Sequence, residues 1–290
     1  EDRFGLPSAG AKEDGASPIL TNNQSPDSLL SYVSPTEIVD LPSQGKFYPE
    51  GHPLSGVSTV EIREMTAKEE DILTSKSLIQ KGVVLDRLLQ SLIIDKSISV
   101  DSLLVGDKNA LLVAARVGGY GSEYNTNVTC PGCAATNKHA FDLLACNIVG
   151  PFDLEGADDP IKDVLQETEG GRYFIKLPKT GITAEIRLLT GKDEKKIVAT
   201  QEMKKKRKLP ENPLTEQLKT VVVSLNGVED LLDVSRCIDN LPASDCRFLR
   251  SVFTKITPNI DMTQEFVCGE CGYEQDVEVP FTADFFWPDA

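Results

Sequence analysis

Val60-Glu-Ile-Arg-Glu-Met-Thr-Ala-Lys-Glu-Glu70 returns, lightly altered, as Ala184-Glu-Ile-Arg-Leu-Leu-Thr-Gly-Lys-Asp-Glu194. Each copy reads as a strand running into a helix. Thr66 with Glu69 has the T-x-x-E spacing of a capping box, and Thr190 with Asp193 is a weaker version of it. Apolar residues then recur at spacings of three and four in Val84–Leu92 and again in Gln217–Leu225, the pattern of an amphipathic helix. A third helix is expected over Lys108–Val117, capped by Asp107 and stopped at Gly118-Gly119. Its counterpart is expected over Cys246–Lys255, capped by Ser244 or Asp245 and stopped near Pro258.

Both copies end alike. Alternating polar and apolar residues flank Cys130-Pro-Gly-Cys133 in the first and Cys268-Gly-Glu-Cys271 in the second. Asp107 precedes Cys130 by 23 residues, and Asp245 precedes Cys268 by the same 23. One similar segment would be unremarkable; the same order of elements closing on the same motif predicts a duplication. The copies differ in length by about 14 residues, a difference expected near Lys204–Pro213.

The fold class that follows is α+β: two tandem similar domains, each ending in a CxxC hairpin, plus an extended N-terminal arm. The expected boundaries are an arm over 1–56, a first repeat over 57–149, a linker and strand pair over 150–182, and a second repeat with an aromatic tail over 183–290. The arm is rich in Pro, Gly, Ser, Asn and Asp. Within it, Leu41–Leu54 carries Phe47 and Tyr48 between turn residues and is expected to dock on a surface or to lead into the first strand.

A CxxC on a tight turn between strands is a zinc knuckle. A structural zinc takes four ligands in a tetrahedron, so two knuckles face to face complete one site. Cys130, Cys133, Cys268 and Cys271 are therefore the candidate ligands of one structural Zn2+ per chain. Cys133 and Cys268 are separated by 134 intervening residues, a distance that duplication explains. Two alternatives stay open: separate sites completed by other ligands such as His139, or a dithiol without metal. A site closed by four thiolates points to structure rather than catalysis. Losing the metal from such a site is expected to cost on the order of 10 kcal/mol.

Composition narrows the function further. With 45 acidic against 30 basic residues, the net charge is −15. An acidic surface repels nucleic acid and anionic membrane. No apolar run approaches the roughly 20 residues of a membrane helix, and no charged-then-apolar leader opens the sequence. Seven cysteines, an odd number, argue against a disulfide framework; Cys146, Cys237 and Cys246 read as ordinary thiols. No phosphate-binding glycine loop is present, since Gly118-Gly-Tyr-Gly121 closes a helix rather than opening one. With His52 and His139 as the two histidines, no nucleophile–histidine set is credible. Catalytic residues are therefore assigned to none. Lys204–Lys208 is the single basic block and reads as an exposed helix end.

Leu41-Pro-Ser-Gln-Gly-Lys-Phe-Tyr-Pro-Glu50, Val60–Leu73, Leu103-Leu-Val-Gly-Asp-Lys-Asn-Ala110, Ala114-Ala-Arg116, Tyr120-Gly121 and Val128-Thr-Cys-Pro-Gly-Cys133 together resemble the baseplate hub protein family of T4-like contractile-tailed bacteriophages. The resemblance covers about 41–145 well and the second copy more loosely. It implies a non-enzymatic, structural role in the baseplate hub region of the virion tail, assembled in the bacterial host cytoplasm. The implied partners are other baseplate and tail proteins and further copies of the chain, reached through the N-terminal arm and the aromatic C-terminus. A transient chaperone of hub assembly is the first alternative. A nucleic-acid-binding zinc ribbon is the second, and the acidic Glu270, Glu274, Asp276 and Glu278 around the second knuckle disfavour it.

Overall fold

The computed structural model describes residues 35–150, 165–168, 171–210, 212–280 and 285–286. The arm over 1–34, the acidic stretch Glu155–Asp159 and most of Pro280–Pro288 lie outside the described residues.

Strand β1 (Thr36–Asp40) pairs antiparallel with β2 (Thr59–Arg63), placing Ile38 opposite Glu61 and Val39 opposite Val60. Between them Leu41, Phe47, Tyr48 and Leu54 are buried, so Leu41–Leu54 docks on the body and the expected arm does not extend as far as residue 56. Helix α1 (Ala67–Thr74) starts at the expected capping box, with both reciprocal hydrogen bonds between Thr66 and Glu69 formed. After the short α2 (Lys76–Gln80), α3 (Val84–Leu92) has the expected limits and buries Leu88, Leu89 and Leu92. Ile93 then bridges back to Ile62 of β2. A 3-10 turn at Val100–Ser102 leads to α4 (Val105–Tyr120), the hairpin β3 (Glu123–Thr129) and β4 (Thr136–Asp142), and the short β5 (Asn147–Val149).

The second stretch also runs through strands and helices to a closing CxxC hairpin. β6 (Leu165–Thr168), β7 (Arg172–Lys176), β8 (Thr183–Arg187) and β9 (Val222–Leu225) form a four-stranded antiparallel sheet in sequence order. Helix α5 (Gly191–Lys206) opens on the Thr190/Asp193 capping box, followed by α6 (Pro213–Val221), α7 (Leu231–Asn240) and α8 (Ala243–Ile256). Then come β10 (Asn259–Asp261), paired with β5, and the hairpin β11 (Thr263–Val267) and β12 (Glu274–Glu278). Just as Ile93 follows α3 and bridges Ile62, Val222 follows α6 and pairs with Ile186.

Several sequence expectations need correction. The helix expected over Gln217–Leu225 ends at Val221, and Val222–Leu225 is strand. β-Branched residues favour a pleated, buried surface, and β8 supplies the hydrogen-bonding edge. Helix α4 does not stop at Gly118-Gly119. It runs to Tyr120 and ends at Gly121, whose φ of 82° lies in the left-handed region that glycine tolerates. Asp107 and Asp245 are not N-caps: they sit in the first turns of α4 and α8, and their carboxylates reach other segments. Part of the length difference between copies lies in α7, which stands where the first copy has only the 3-10 turn.

From Pro35 onward the chain clusters as one compact unit, so the two stretches are packed halves rather than separate bodies. Backbone bonds join them: Val105 N donates to Leu189 O at 3.0 Å and Gly191 N to Leu103 O at 2.8 Å. Lys108 lies in this seam, with its Nζ 2.7 Å from Glu194 and 3.0 Å from Asp86, and Lys195 bridges Asp86 and Asp101. Gly106 presses so close to β10 that a Cβ there would stand 1.9 Å from the Pro258 carbonyl oxygen.

Candidate metal centre

Each CxxC sits on the tip of a hairpin, and local backbone rules shape both tips alike. In the first, Cys130 N donates to Ala135 O at 2.8 Å and Ala134 N to Cys130 O at 2.8 Å. In the second, Cys268 N donates to Tyr273 O at 2.9 Å and Gly272 N to Cys268 O at 2.9 Å. The residue after the second cysteine is left-handed in both, with φ of 60° at Ala134 and 68° at Gly272. Glycine meets that demand freely; alanine holds it against a cost of about 1 kcal/mol.

The first cysteine of each pair, Cys130 or Cys268, is buried, whereas Cys133 and Cys271 are exposed. The tips face one another. Cys130 Sγ lies 3.7 Å from Cys271 Sγ, and Cys133 Sγ lies 3.7 Å from Cys268 Sγ. All four sulfurs fall within 4.8 Å of one another. A tetrahedron with metal–sulfur bonds of about 2.3 Å has edges of roughly 3.8 Å, so the crossed pairs are already at ligand spacing. Among the described residues this is the one cluster of Cys, His, Asp and Glu side chains that can hold a metal ion.

Neighbours hold the tips in register. Asn137 donates to Cys268 Sγ at 3.4 Å and accepts from Gly269 N at 3.2 Å, crossing from one hairpin to the other. Gln264 does the same at the base, accepting from Asp142 N at 3.1 Å and donating to Asp142 O at 2.8 Å. A Cβ on Gly132 would stand 3.2 Å from the Tyr273 ring, so the turn lies flat against that side chain. Phe266, Cys130 and Cys268 make a small buried cluster of their own, which meets the main core at Val128 and Val277. Asn137 and Gln264 carry no motif that would mark them in the sequence.

The thiols are tuned by this setting. The Cys268 thiol is lowered to about 6, first by the backbone N–H of Cys271 and, against the cost of burial, also by that of Glu270. At Cys271 the backbone N–H of Tyr273 favours the thiolate, but the Cys133 thiol, desolvation and the other two sulfurs outweigh it and push the group up to about 12. One proton leaves such a cluster easily and the later ones resist until a cation compensates the accumulated charge. Polar N–H groups around the sulfurs, including Gly132 N at 3.3 Å from Cys130 Sγ, suit thiolates bound to a cation.

His139 is not a ligand. Its ring packs edge-on against Phe141 and Phe266, with centroids 4.5 and 5.4 Å away. Cys146, Cys237 and Cys246 are half-buried thiols outside the cluster.

Residues 34–162 match the family model described as T4 bacteriophage base plate protein. The resemblance read from the sequence is thereby borne out, and the matched stretch includes the first knuckle. No curated protein matches the chain, and no solved structure does. Over this stretch the chain is similar to a phage base plate protein. Among the described residues no helix is long and apolar enough to cross a membrane.

Proposed function

We propose that this chain is a zinc-stabilised, non-catalytic structural component of the baseplate hub region of a contractile phage tail. Cys130, Cys133, Cys268 and Cys271 hold one zinc per chain, and the ion ties together two halves of a duplicated ancestor. The observation that carries the reading is the meeting of two CxxC turns from remote stretches, with crossed sulfur pairs at 3.7 Å. Thiolate ligands in tetrahedral array favour zinc over the oxygen-loving cations.

The duplication is supported by paired details. Arg63 grips Glu69 and Arg187 grips Asp193, each across the mouth of a capping box. In each half a nine-residue helix, α3 or α6, then leads the chain back to the strand that precedes the box. The likeness of residues 34–162 to a base plate protein supports a place in the virion tail, with other tail proteins as partners.

Metal analysis of the purified chain tests the site: about one zinc per chain is expected, lost in Cys268→Ser. A wild type that is purified without metal and takes up no added zinc removes the zinc reading. For the hub assignment, quantitative composition of purified virions is expected to find the chain at a fixed copy number. Its absence from mature particles favours the transient assembly factor.

A further inference from the structure

The outward face of the second hairpin is built against its own electrostatics. Across β11–β12, Thr263 stands opposite Glu278, Glu265 opposite Asp276, and Val267 opposite Glu274. Phe266 points inward, so these six residues share the outer face. Four are acids, and Glu265 and Asp276 are direct cross-strand partners, an arrangement that costs stability when nothing compensates it. Among the described residues no Lys or Arg pairs with any of the four. In their midst Val267 is 49% exposed.

Elsewhere on the chain lies a surface of the opposite kind. Helix α5 buries only Gly191 along 16 residues. Lys192, Lys196, Ala199, Met203 and Lys206 recur at alternating spacings of four and three along one stripe, and all are exposed. Val198 and Lys205 flank them, also exposed. Lys192, Lys196 and Lys205 have no ion pair among the described residues, and Lys206 has a loose one to Glu202 at 3.7 Å. Val198 and Met203, 49% and 44% exposed, give this cationic face an apolar centre.

We infer that the cationic face of α5 docks on the acidic face of β11–β12 of a second copy of this chain. The two surfaces match in sign and in having an apolar centre. In a chain of net charge −15, α5 is a concentrated cationic helix face that can relieve the Glu265–Asp276 repulsion. The two patches occupy different elements, so the contact is head-to-tail. Such contacts repeat from copy to copy and close into a ring where the rotation permits. The inference goes beyond the structural role proposed above, and a zinc-free protein with an intact hairpin would still show it.

Sedimentation velocity of the full chain over a concentration series tests it, run at about 50 mM and about 500 mM salt, where screening differs several-fold. Self-association is expected at low salt and dissociation at high salt. Lys196→Glu/Lys206→Glu and Glu274→Lys/Asp276→Lys are each expected to be monomeric, since each abolishes the opposition of charge between the two faces. Mixed in equal amounts, the two variants present complementary faces again and are expected to associate. Zinc content and far-UV circular dichroism, measured in parallel, confirm that each variant keeps its hairpins and helices. A wild type that stays monomeric at low salt overturns the inference. So do variants that associate like wild type, or folded variants that fail to associate when mixed.

Discussion

Asp107 and Asp245 hold equivalent turns in the two halves of the molecule. Asp107, in the first turn of α4, accepts from Ser43 N at 2.9 Å, Ser43 Oγ at 2.6 Å and Tyr48 OH at 2.7 Å. Asp245, in the first turn of α8, accepts from Lys179 N at 3.0 Å, Thr180 N at 3.0 Å and Thr180 Oγ1 at 2.7 Å. The turns they hold are Leu41-Pro-Ser-Gln-Gly45 and Leu177-Pro-Lys-Thr-Gly181, closed by glycines with φ of 71° and 69°.

Removing either carboxylate strands its donors, and those of Asp107 lie where water does not reach. Asp107→Ala leaves Ser43 and Tyr48 without their acceptor and is expected to destabilise by about 3 kcal/mol. Asp245→Ala, whose turn is partly exposed, is expected to cost about 2 kcal/mol. Urea midpoints check both. Equal, negligible shifts would mean that the turns are held by other contacts.

Acid weakens the protein through the two capping-box carboxylates. Burial alone would raise Glu69, but hydrogen bonds from Arg63, Thr66 and Ser91 outweigh it and hold it at about 2. Asp193 follows the same balance, with Arg187 and Thr190 holding it at about 2. A carboxylate whose folded pKa lies below its unfolded value binds fewer protons when folded. Its contribution is therefore complete above about pH 4.5 and is lost as pH falls toward 2. Denaturation measured across that window is expected to show a shallower decline for Glu69→Gln and Asp193→Asn than for wild type, although both variants start less stable at neutral pH.

Chelation is expected to act locally. The buried sulfurs of Cys130 and Cys268 form their own small apolar group with Phe266, which meets the main core at Val128 and Val277. Removing the metal therefore frees the hairpin tips while the helical body stays folded. Treatment with a strong chelator is expected to make Cys133 and Cys271 react with a thiol reagent and to sensitise the hairpins to protease, with the helical circular dichroism largely kept. Complete loss of helix would show that the ion supports the whole fold, as the sequence reading expected.

Arg116 binds the far end of the chain from inside the first half. Its guanidinium, 1% exposed, donates to Phe285 O at 2.6 Å, Gly121 O at 2.7 Å and Glu123 O at 3.1 Å. Phe285 and Phe286 are themselves buried, so these two rings of the aromatic C-terminus pack within the protein and are not available to a partner. Arg116→Ala is expected to cost about 3 kcal/mol and to release that segment, since three carbonyls lose a charged donor. Hydrogen exchange around Phe285 checks it. Arg116→Lys, lacking the planar fork, should recover only part of the protection.

Much of this protein can be read along the chain because its signals are local. The capping boxes at Thr66 and Thr190, the span of α3 and the two CxxC turns depend on residues within a few positions of one another, and the sequence alone determined them. What required the tertiary structure is whatever depends on remote partners. Val222–Leu225 became strand because β8 offered it an edge. Asp107 and Asp245 left their expected capping role because remote turns offered N–H groups, and only those contacts reveal that the two Leu-Pro turns correspond. The meeting of Cys133 with Cys268, across 134 intervening residues, needed both halves packed into one body. A sequence lists ligands and turn formers by type; which of them face each other follows from how the whole chain buries its apolar surface.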